Sequence, residues 1–100
     1  MLTYVLIRHK VRDYSVWKPI YDAHLPKRLE AGLTEKHLFR GATDANEVIL
    51  LFEVKDFGRA KAFYESADLR ETMEKAGVID RPDIYFLNDQ TSVFAKASGY

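Results

Sequence analysis

A strand that is apolar on both of its faces is the feature that most constrains the fold of this chain. Residues 47–55 read EVILLFEVK, and successive side chains of a strand point to opposite faces. One face carries Val48, Leu50, Phe52 and Val54, and the other carries Ile49, Leu51 and Glu53. Because a strand of this kind is covered on both sides, we expect residues 47–55 to lie inside a sheet with a layer on each face.

Three further segments have the pattern of strands. Residues 2–11 alternate between two faces. The more apolar of these faces carries Val5, Ile7, His9 and Val11. Residues 35–42 are followed by a turn with the composition TDAN at residues 43–46. Pro82 precedes a last short strand at residues 83–87.

A helix is expected between the first two strands. Asp13 or Ser15 is its cap, and it runs to about Ala31, before a glycine, Gly32, of the kind that ends helices in the left-handed conformation. Pro26 lacks the amide hydrogen that a helix interior needs, so we expect a kink there. The side chains that share one side of this helix are Tyr14, Trp17, Tyr21, His24, Leu25 and Arg28.

A second helix is expected between the last two strands. Asp56 is its cap and Gly77 is its end. Ser66 and Asp68 restart the helix after an interruption, and Asp68 with Glu71 three residues later has the pattern of a capping box.

The order strand, helix, strand, strand, helix, strand is the split βαβ pattern. It predicts an α+β domain of ferredoxin-like topology, β-α-β-β-α-β, with a four-stranded antiparallel sheet and both helices on one face. The other face has no cover within the chain, so we expect a second copy to bury it and form a dimeric α/β barrel. Residues 1–88 are expected to form this domain, and residues 89–100 a tail that packs across the dimer through Val93 and Phe94.

Composition argues against several classes of function. Fifteen basic and fifteen acidic residues give a formal net charge of zero, which is untypical of a nucleic-acid-binding domain. We find no polybasic or amphipathic membrane anchor, and the apolar run at the N-terminus is too short for a signal peptide or a spanning helix. The expected location is therefore the cytoplasm. The chain has no cysteine, so disulfides, a thiolate nucleophile and a thiolate metal site are excluded.

Three stretches together resemble a known family. They are YVLIRHKVRDYSVWKPIYDAH, HLFRGATDANEVILLFEV and SADLRETMEKAGVIDRPDIYFL, and the resemblance covers about residues 4–88. The chain resembles small bacterial proteins of the dimeric α/β-barrel superfamily, in particular the antibiotic-biosynthesis-monooxygenase-like group, several of which are labelled cyclases. That superfamily includes cofactor-free oxygenases, haem-degrading enzymes, lactone isomerases, dye-decolourising peroxidases and proteins without known activity. The resemblance therefore implies the fold more strongly than it implies one reaction.

The resemblance also implies a ligand cleft between the helices and the sheet of each subunit. The residues of this chain that match such a cleft are His9, Trp17, Tyr21 and His24. Haem-degrading members place a tryptophan and a histidine on the second helix, and residues 59–77 contain neither. Haem degradation is therefore not expected here.

His9 and His24 are the candidate catalytic residues. Imidazole titrates close to neutral pH, so either residue is a candidate general base, and two imidazoles in one cavity could relay a proton. The alternative is that His9 is a buried histidine bonded to a carbonyl or carboxylate group and that His24 has no special role. Two histidines without a third ligand make a poor metal site, so we expect no metal and assign no cofactor.

Aromatic side chains are the candidate substrate-binding residues. They are Tyr14, Trp17, Tyr21 and Phe63. A stripe of this kind fits a filled core and a pocket wall equally well, although the polar tips of tyrosine and tryptophan need partners that leucine would not need. Arg8 and Arg40 are expected to pair with a carboxylate such as Glu53, or to hold an anionic group of a substrate. Asp80 and Asp83 are interpreted as solvated turn residues.

Three functions remain open at the level of sequence. The first is an enzyme on a small, flat, aromatic or polyketide-like molecule, a cofactor-independent monooxygenase or a cyclase or isomerase. It would use a histidine base, with the Tyr21 hydroxyl or the Trp17 indole N–H as the donor to an oxyanion. The second is a non-catalytic ligand-binding homodimer, and the third is a purely structural homodimer with a filled core. A cavity lined by both His9 and His24 would favour the first two.

Overall fold

The computed structural model describes residues 2–91 of the 100-residue chain. In chain order the elements are β1 (Thr3–Lys10), α1 (Tyr14–Ala23), α2 (Leu25–Glu30), β2 (Leu33–Arg40), β3 (Glu47–Val54), α3 (Phe57–Tyr64), α4 (Ala67–Lys75) and β4 (Asp83–Asn88). Each of the two predicted helices is therefore a pair of shorter helices.

The four strands form one antiparallel sheet with the order β2-β3-β1-β4. The two strands at the centre, β3 and β1, pair over their whole length, and Ile7 lies opposite Leu50 on one side and opposite Ile84 on the other. This order, with the helices between the strands in sequence, is the ferredoxin-like topology that the pattern predicted. The expectation that residues 47–55 lie inside the sheet is confirmed.

The break in the first helix lies at the position that proline dictates. Asp13 is the cap of α1, where its side chain accepts a hydrogen bond from the Ser15 backbone N–H at 2.9 Å. His24 ends α1 and begins α2, and Pro26 stands in the first turn of α2. Proline is tolerated in a first turn because the amide hydrogen that it lacks has no partner there. The predicted kink is therefore a full restart of the helix.

Two boundaries differ from the prediction. β2 begins at Leu33, not at residue 35, because Gly32 has a φ of +76° and turns the chain directly from α2 into the sheet. The restart of the second helix is capped by Ser66, whose hydroxyl oxygen accepts from the Leu69 backbone N–H at 3.2 Å. The capping box predicted at Asp68 is wrong, because Asp68 already lies inside the first turn of α4.

The hydrophobic core lies between the helices and one face of the sheet. It includes Val5, Ile7, Trp17, Leu33, Val48, Leu50, Phe52, Ala60 and Ala76. The opposite face of the sheet, which we call the open face, carries Leu6, Phe39, Ile49, Leu51, Tyr85 and Leu87. Phe39, Tyr85 and Leu87 are 43–53% exposed, and nothing within residues 2–91 covers this face.

Part of the predicted tail lies outside the described residues. Asp89 continues from β4, and its backbone N–H donates to the Leu2 carbonyl oxygen at 2.8 Å. The predicted packing of the tail across a dimer through Val93 and Phe94 falls on residues 92–100, which are not described. Within residues 2–91 no helix is long and apolar enough to cross a membrane.

Candidate functional site

A cavity lies between the helices and the sheet, beneath α1. Its enclosed volume is about 60 Å³. The total empty volume, which includes the open mouth, is about 470 Å³. The first volume is less than half that of an engineered cavity of about 150 Å³ that takes up benzene. Its lining is mostly apolar, and the polar members are His9, Trp17, Tyr21, His24, Arg28, Tyr64 and Thr72. A flat ligand would therefore occupy the open mouth as well as the enclosed part of the cavity.

His9 is a buried imidazole without a hydrogen bond. It lies on β1 between core residues and is 4% exposed, and neither Nδ1 nor Nε2 has a partner in the described chain. The pKa of His9 is lowered to about 4, chiefly by burial; the smaller effects of the nearby charges oppose each other, with Asp80 raising the pKa and Arg8 lowering it. His9 is therefore neutral at pH 7. The alternative, a core histidine bonded to a carbonyl or carboxylate group, does not fit, because His9 makes no such bond to residues 2–91.

Trp17 and Tyr21 continue from His9 as a row of aromatic rings along α1. The Trp17 ring meets the His9 ring edge-on at 5.7 Å and stacks on the Tyr21 ring at 4.7 Å. The Tyr21 hydroxyl donates to Glu35 Oε1 at 2.7 Å, and burial together with this bond raises the pKa of Tyr21 far above its usual value. The Tyr21 hydroxyl is thus already committed to a carboxylate, which makes it a poor donor to an oxyanion.

Tyr14 lies beside the cavity and is not part of its lining. Its ring contacts Trp17 at 5.5 Å and lies under the Arg40 guanidinium at 3.8 Å. Arg40 also donates to the Ala45 carbonyl oxygen at 2.8 Å. Tyr14 therefore supports Trp17 from outside the cavity, and a role for it in ligand binding would be indirect.

His24 reaches the cavity from the junction of α1 and α2. Its Nε2 is 3.1 Å from Asp68 Oδ2 on α4, and its ring stacks on Phe63 at 5.7 Å. Phe63 lines the cavity as well. Among residues 2–91, His24 and His9 make no contact with each other, although both line the same cavity. The structure thus brings both candidate bases to one site and separates them within it.

Arg28 is the residue at this site that the sequence analysis did not single out. It is 7% exposed, lines the cavity, and donates from Nη1 to the Tyr21 carbonyl oxygen at 2.6 Å. Its guanidinium carbon lies 3.7 Å from the centre of the Tyr21 ring. Its place in the aromatic stripe of the first helix was the available signal, since a long cation at such a position turns inward with its neighbours.

Tyr64 supplies a second polar group without a partner. Its hydroxyl is buried and makes no hydrogen bond to the described residues, and burial raises the pKa of Tyr64. Its ring meets Phe63 and Phe86 edge-on. A neutral phenol of this kind is a free hydrogen-bond donor at the cavity wall.

The charged residues of the open face are paired with one another. Arg8 contacts Glu47 at 2.9 Å, Asp83 at 3.4 Å and Asp80 at 3.6 Å. Asp80 also accepts from the Lys10 backbone N–H at 2.8 Å. The expected salt bridge of Arg8 with a carboxylate is present, with Glu47 as the partner in place of Glu53. The interpretation of Asp80 and Asp83 as merely solvated is corrected, because both acids lie beside Arg8. Within residues 2–91 no group of three metal-ligating side chains could hold an ion.

Comparison with known proteins gives similarity at the level of structure. No family model and no curated protein matches the chain. A Bordetella bronchiseptica protein provisionally named antibiotic biosynthesis monooxygenase is 14% identical with a TM-score of 0.74, covering 90% of this chain and 98% of that one. SnoaB of Streptomyces nogalater, described as a cofactor-independent oxygenase, is 7% identical with a TM-score of 0.72 over 92% and 96%. A conserved protein of Methanosarcina mazei Go1 is 14% identical with a TM-score of 0.68 over 90% and 94%.

These likenesses confirm the fold that the sequence resemblance implied. The alignments cover nearly the whole of each partner chain, so the shared unit is a complete ferredoxin-like domain. At identities of 7–14% the likeness establishes the fold and leaves the reaction to the residues of the site.

Proposed function

We propose that this protein is a homodimer whose cavity binds a flat, enolisable small molecule and oxidises it with dioxygen, without a cofactor. The observation that supports the proposal is one cavity lined by two groups that lack partners among residues 2–91. They are His9, a neutral imidazole without a hydrogen bond, and Arg28, a buried cation without a carboxylate. Unpaired polar groups are costly in a protein interior, and their retention together at one cavity is typical of a functional site. SnoaB, which has the same fold, is described as a cofactor-independent oxygenase.

His9 is the proposed general base, and its low pKa decides when it acts. With a pKa of about 4, placing a proton on His9 at pH 7 costs about 4 kcal/mol. A substrate carbanion about 4 Å away would return about 4 kcal/mol at an effective dielectric constant of about 20. His9 is therefore neutral in the empty site, and it accepts a proton from a substrate that becomes its counter-ion.

The reaction needs dioxygen as its only co-reactant. His9 takes a proton from an acidic methylene group, and the carbanion passes one electron to dioxygen. The carbon radical and superoxide combine to form a C–O bond, and the peroxide takes a proton to become a hydroperoxide. Loss of the second methylene proton then breaks the O–O bond, releasing water and leaving a ketone. One methylene and one O₂ thus give one carbonyl and one H₂O.

Two donors are available for the peroxide oxygen. The Tyr64 hydroxyl has no partner in the described chain, and the Trp17 indole N–H makes no hydrogen bond there. Donors that are already in place stabilise a developing negative charge without reorganisation. Tyr64 therefore takes the role that the sequence analysis gave to Tyr21, whose hydroxyl is bonded to Glu35.

The open face is the proposed dimer interface. Its centre is apolar, with Leu6, Ile49 and Leu51 half-buried within one chain. The charged side chains on this face have partners of opposite sign, as in the pairs of Arg8 with Glu47 and of Lys36 with Glu53. A face with an apolar centre and paired charges is suited to burial against a copy of itself, which would complete an α/β barrel.

Oxygen uptake with 2-indanone tests the proposed reaction. This flat bicyclic ketone has an acidic methylene between its ring and its carbonyl, and the expected product is the 1,2-dione with one oxygen atom from O₂. We expect uptake above the rate in buffer, reduced at least about a hundredfold by His9→Leu. Val5→Ala, on the same face of β1 but outside the cavity lining, is the control and should retain most of the activity.

The outcomes separate the candidate functions. Uptake that is equal in the wild type and His9→Leu would remove His9 as the base. Binding of 2-indanone by calorimetry without oxygen uptake would contradict the oxygenase and favour a non-catalytic ligand-binding protein. Detection of ¹⁸O in the dione after reaction under ¹⁸O₂ would support the proposed step.

A further inference from the structure

Arg28 is a buried cation whose charge is not neutralised within the described chain. No carboxylate lies within 4.0 Å of its guanidinium among residues 2–91, and its one hydrogen bond goes to the Tyr21 carbonyl oxygen. A guanidinium keeps its charge at every physiological pH, so it cannot avoid the cost of burial by losing a proton. Buried charges of this kind are normally paired with an anion.

The contact with Tyr21 leaves the edge of the guanidinium free. The Tyr21 ring lies 3.7 Å from the guanidinium carbon and therefore occupies a face of the group. Arginine binds carboxylates through N–H groups that lie in its plane, not through its face. The ring therefore fixes the orientation of the plane, and the nitrogens other than Nη1 have no protein acceptor in the described chain.

We infer that the cavity takes a flat ligand with a carboxylate at one end, and that Arg28 binds this carboxylate. The inference rests on the proposed function in identifying the cavity as the substrate site, and it adds the class of the substrate. A carboxylate would accept two parallel N–H bonds from Arg28 and neutralise its charge. The side chain would then act in substrate binding, and it would not take part in proton transfer.

The aromatic row fixes where the reactive part of such a ligand lies. Trp17 and Tyr21 stand between His9 and Arg28, each ring in contact with the next group along the row. A ligand with its carboxylate at Arg28 therefore reaches His9 only if it extends along these two rings. The substrate class is accordingly an elongated aromatic or conjugated acid whose enolisable carbon is remote from its carboxylate.

Calorimetric binding of trans-cinnamate and trans-cinnamamide tests the inference. The two probes have the same flat, elongated shape and differ in charge. At pH 7.5 we expect cinnamate to bind the wild-type protein at least about tenfold more tightly than cinnamamide. Arg28→Gln should abolish this preference, whereas Arg59→Gln, which removes an exposed arginine of α3, should retain it.

Three results would overturn the inference. They are equal affinities of the two probes for the wild type, no binding of cinnamate at millimolar concentration, and a full preference in Arg28→Gln. The wild-type comparison decides the matter even if Arg28→Gln does not fold. If the wild type prefers cinnamate but takes up no oxygen with 2-indanone, this inference is supported and the oxygenase is contradicted. If the two probes bind equally and Arg28→Gln leaves oxygen uptake unchanged, the oxygenase is supported and this inference is contradicted.

Discussion

Replacing His9 by leucine is expected to make the protein more stable while it loses its activity. Leucine fills a similar space and has no polar atom, whereas both ring nitrogens of His9 are buried without a partner in the part of the chain that the structure describes. An unsatisfied buried polar group costs about 1–3 kcal/mol, so His9→Leu should raise the free energy of unfolding by about that amount at pH 7. A stabilising substitution that abolishes function would mark His9 as a residue kept for chemistry.

The stability that His9→Leu gains over the wild type should increase as the pH falls. The pKa of His9 is about 4 in the folded protein, compared with 6.5 for an unperturbed histidine. Between these values the unfolded chain binds a proton that the folded chain does not, so wild-type stability falls as the pH decreases from about 6.5 to about 4. At pH 5, proton binding by His9 in the unfolded chain lowers the stability of the wild type by about 2 kcal/mol. The His9→Leu variant has no such loss.

Urea denaturation at pH 7 and pH 5 measures both effects. Protein concentration must be held fixed, because the stability of a dimer depends on it. The advantage of His9→Leu over the wild type should be about 2 kcal/mol larger at pH 5 than at pH 7. Ile7→Val, which changes a core residue without a titrating group, should shift stability equally at the two pH values. An advantage that does not change with pH, or a destabilised His9→Leu at pH 7, would refute the reasoning.

Two further predictions concern the dimer and the fold. Leu51→Lys places a charge at the centre of the open face and should convert a dimer into monomers in sedimentation velocity, whereas Leu29→Lys, at an exposed position on α2, should leave the dimer intact. Gly32→Ala should lower the free energy of unfolding by about 1–2 kcal/mol, because φ is +76° and the added Cβ would lie 3.2 Å from the Lys55 Cβ. At Gly58 an added Cβ would make only an ordinary contact, 3.5 Å from Asp56 Oδ1, so Gly58→Ala should be neutral or slightly stabilising in the same denaturation assay.

The topology of the sheet was predictable because alternation and turn residues carry it directly. The alternation of side chains along the sequence predicts the apolar face of β1 and both apolar faces of β3. Gly32 and Gly77, which have positive φ, mark the ends of the two helical pairs. The start of β2 was missed because the mostly exposed side chains of this strand alternate only weakly between polar and apolar. Pairing with β3 holds the strand in place. Tertiary contact decides such a boundary, and the local pattern does not.

The residues around the cavity were predictable, but their partners were not. The helical period placed Trp17, Tyr21 and His24 on one side together with Arg28. The contact of His24 with Asp68 joins residues 44 positions apart, and only the packing of α4 against the α1–α2 junction creates it. The proposed role of Arg28 rests on the lack of a carboxylate partner among residues 2–91, and such a lack has no sequence pattern.

An NMR titration of the His9 ring tests the central claim most directly. The claim is that His9 is a desolvated, neutral imidazole at a cavity that a ligand enters. We expect the ring protons of His9 to titrate with a midpoint near pH 4 in the free protein. Saturation with cinnamate should shift these resonances, because the bound ring would lie along Trp17 and Tyr21 toward His9. A midpoint near 6.5 in the free protein, or a His9 signal that cinnamate does not change, would contradict the account.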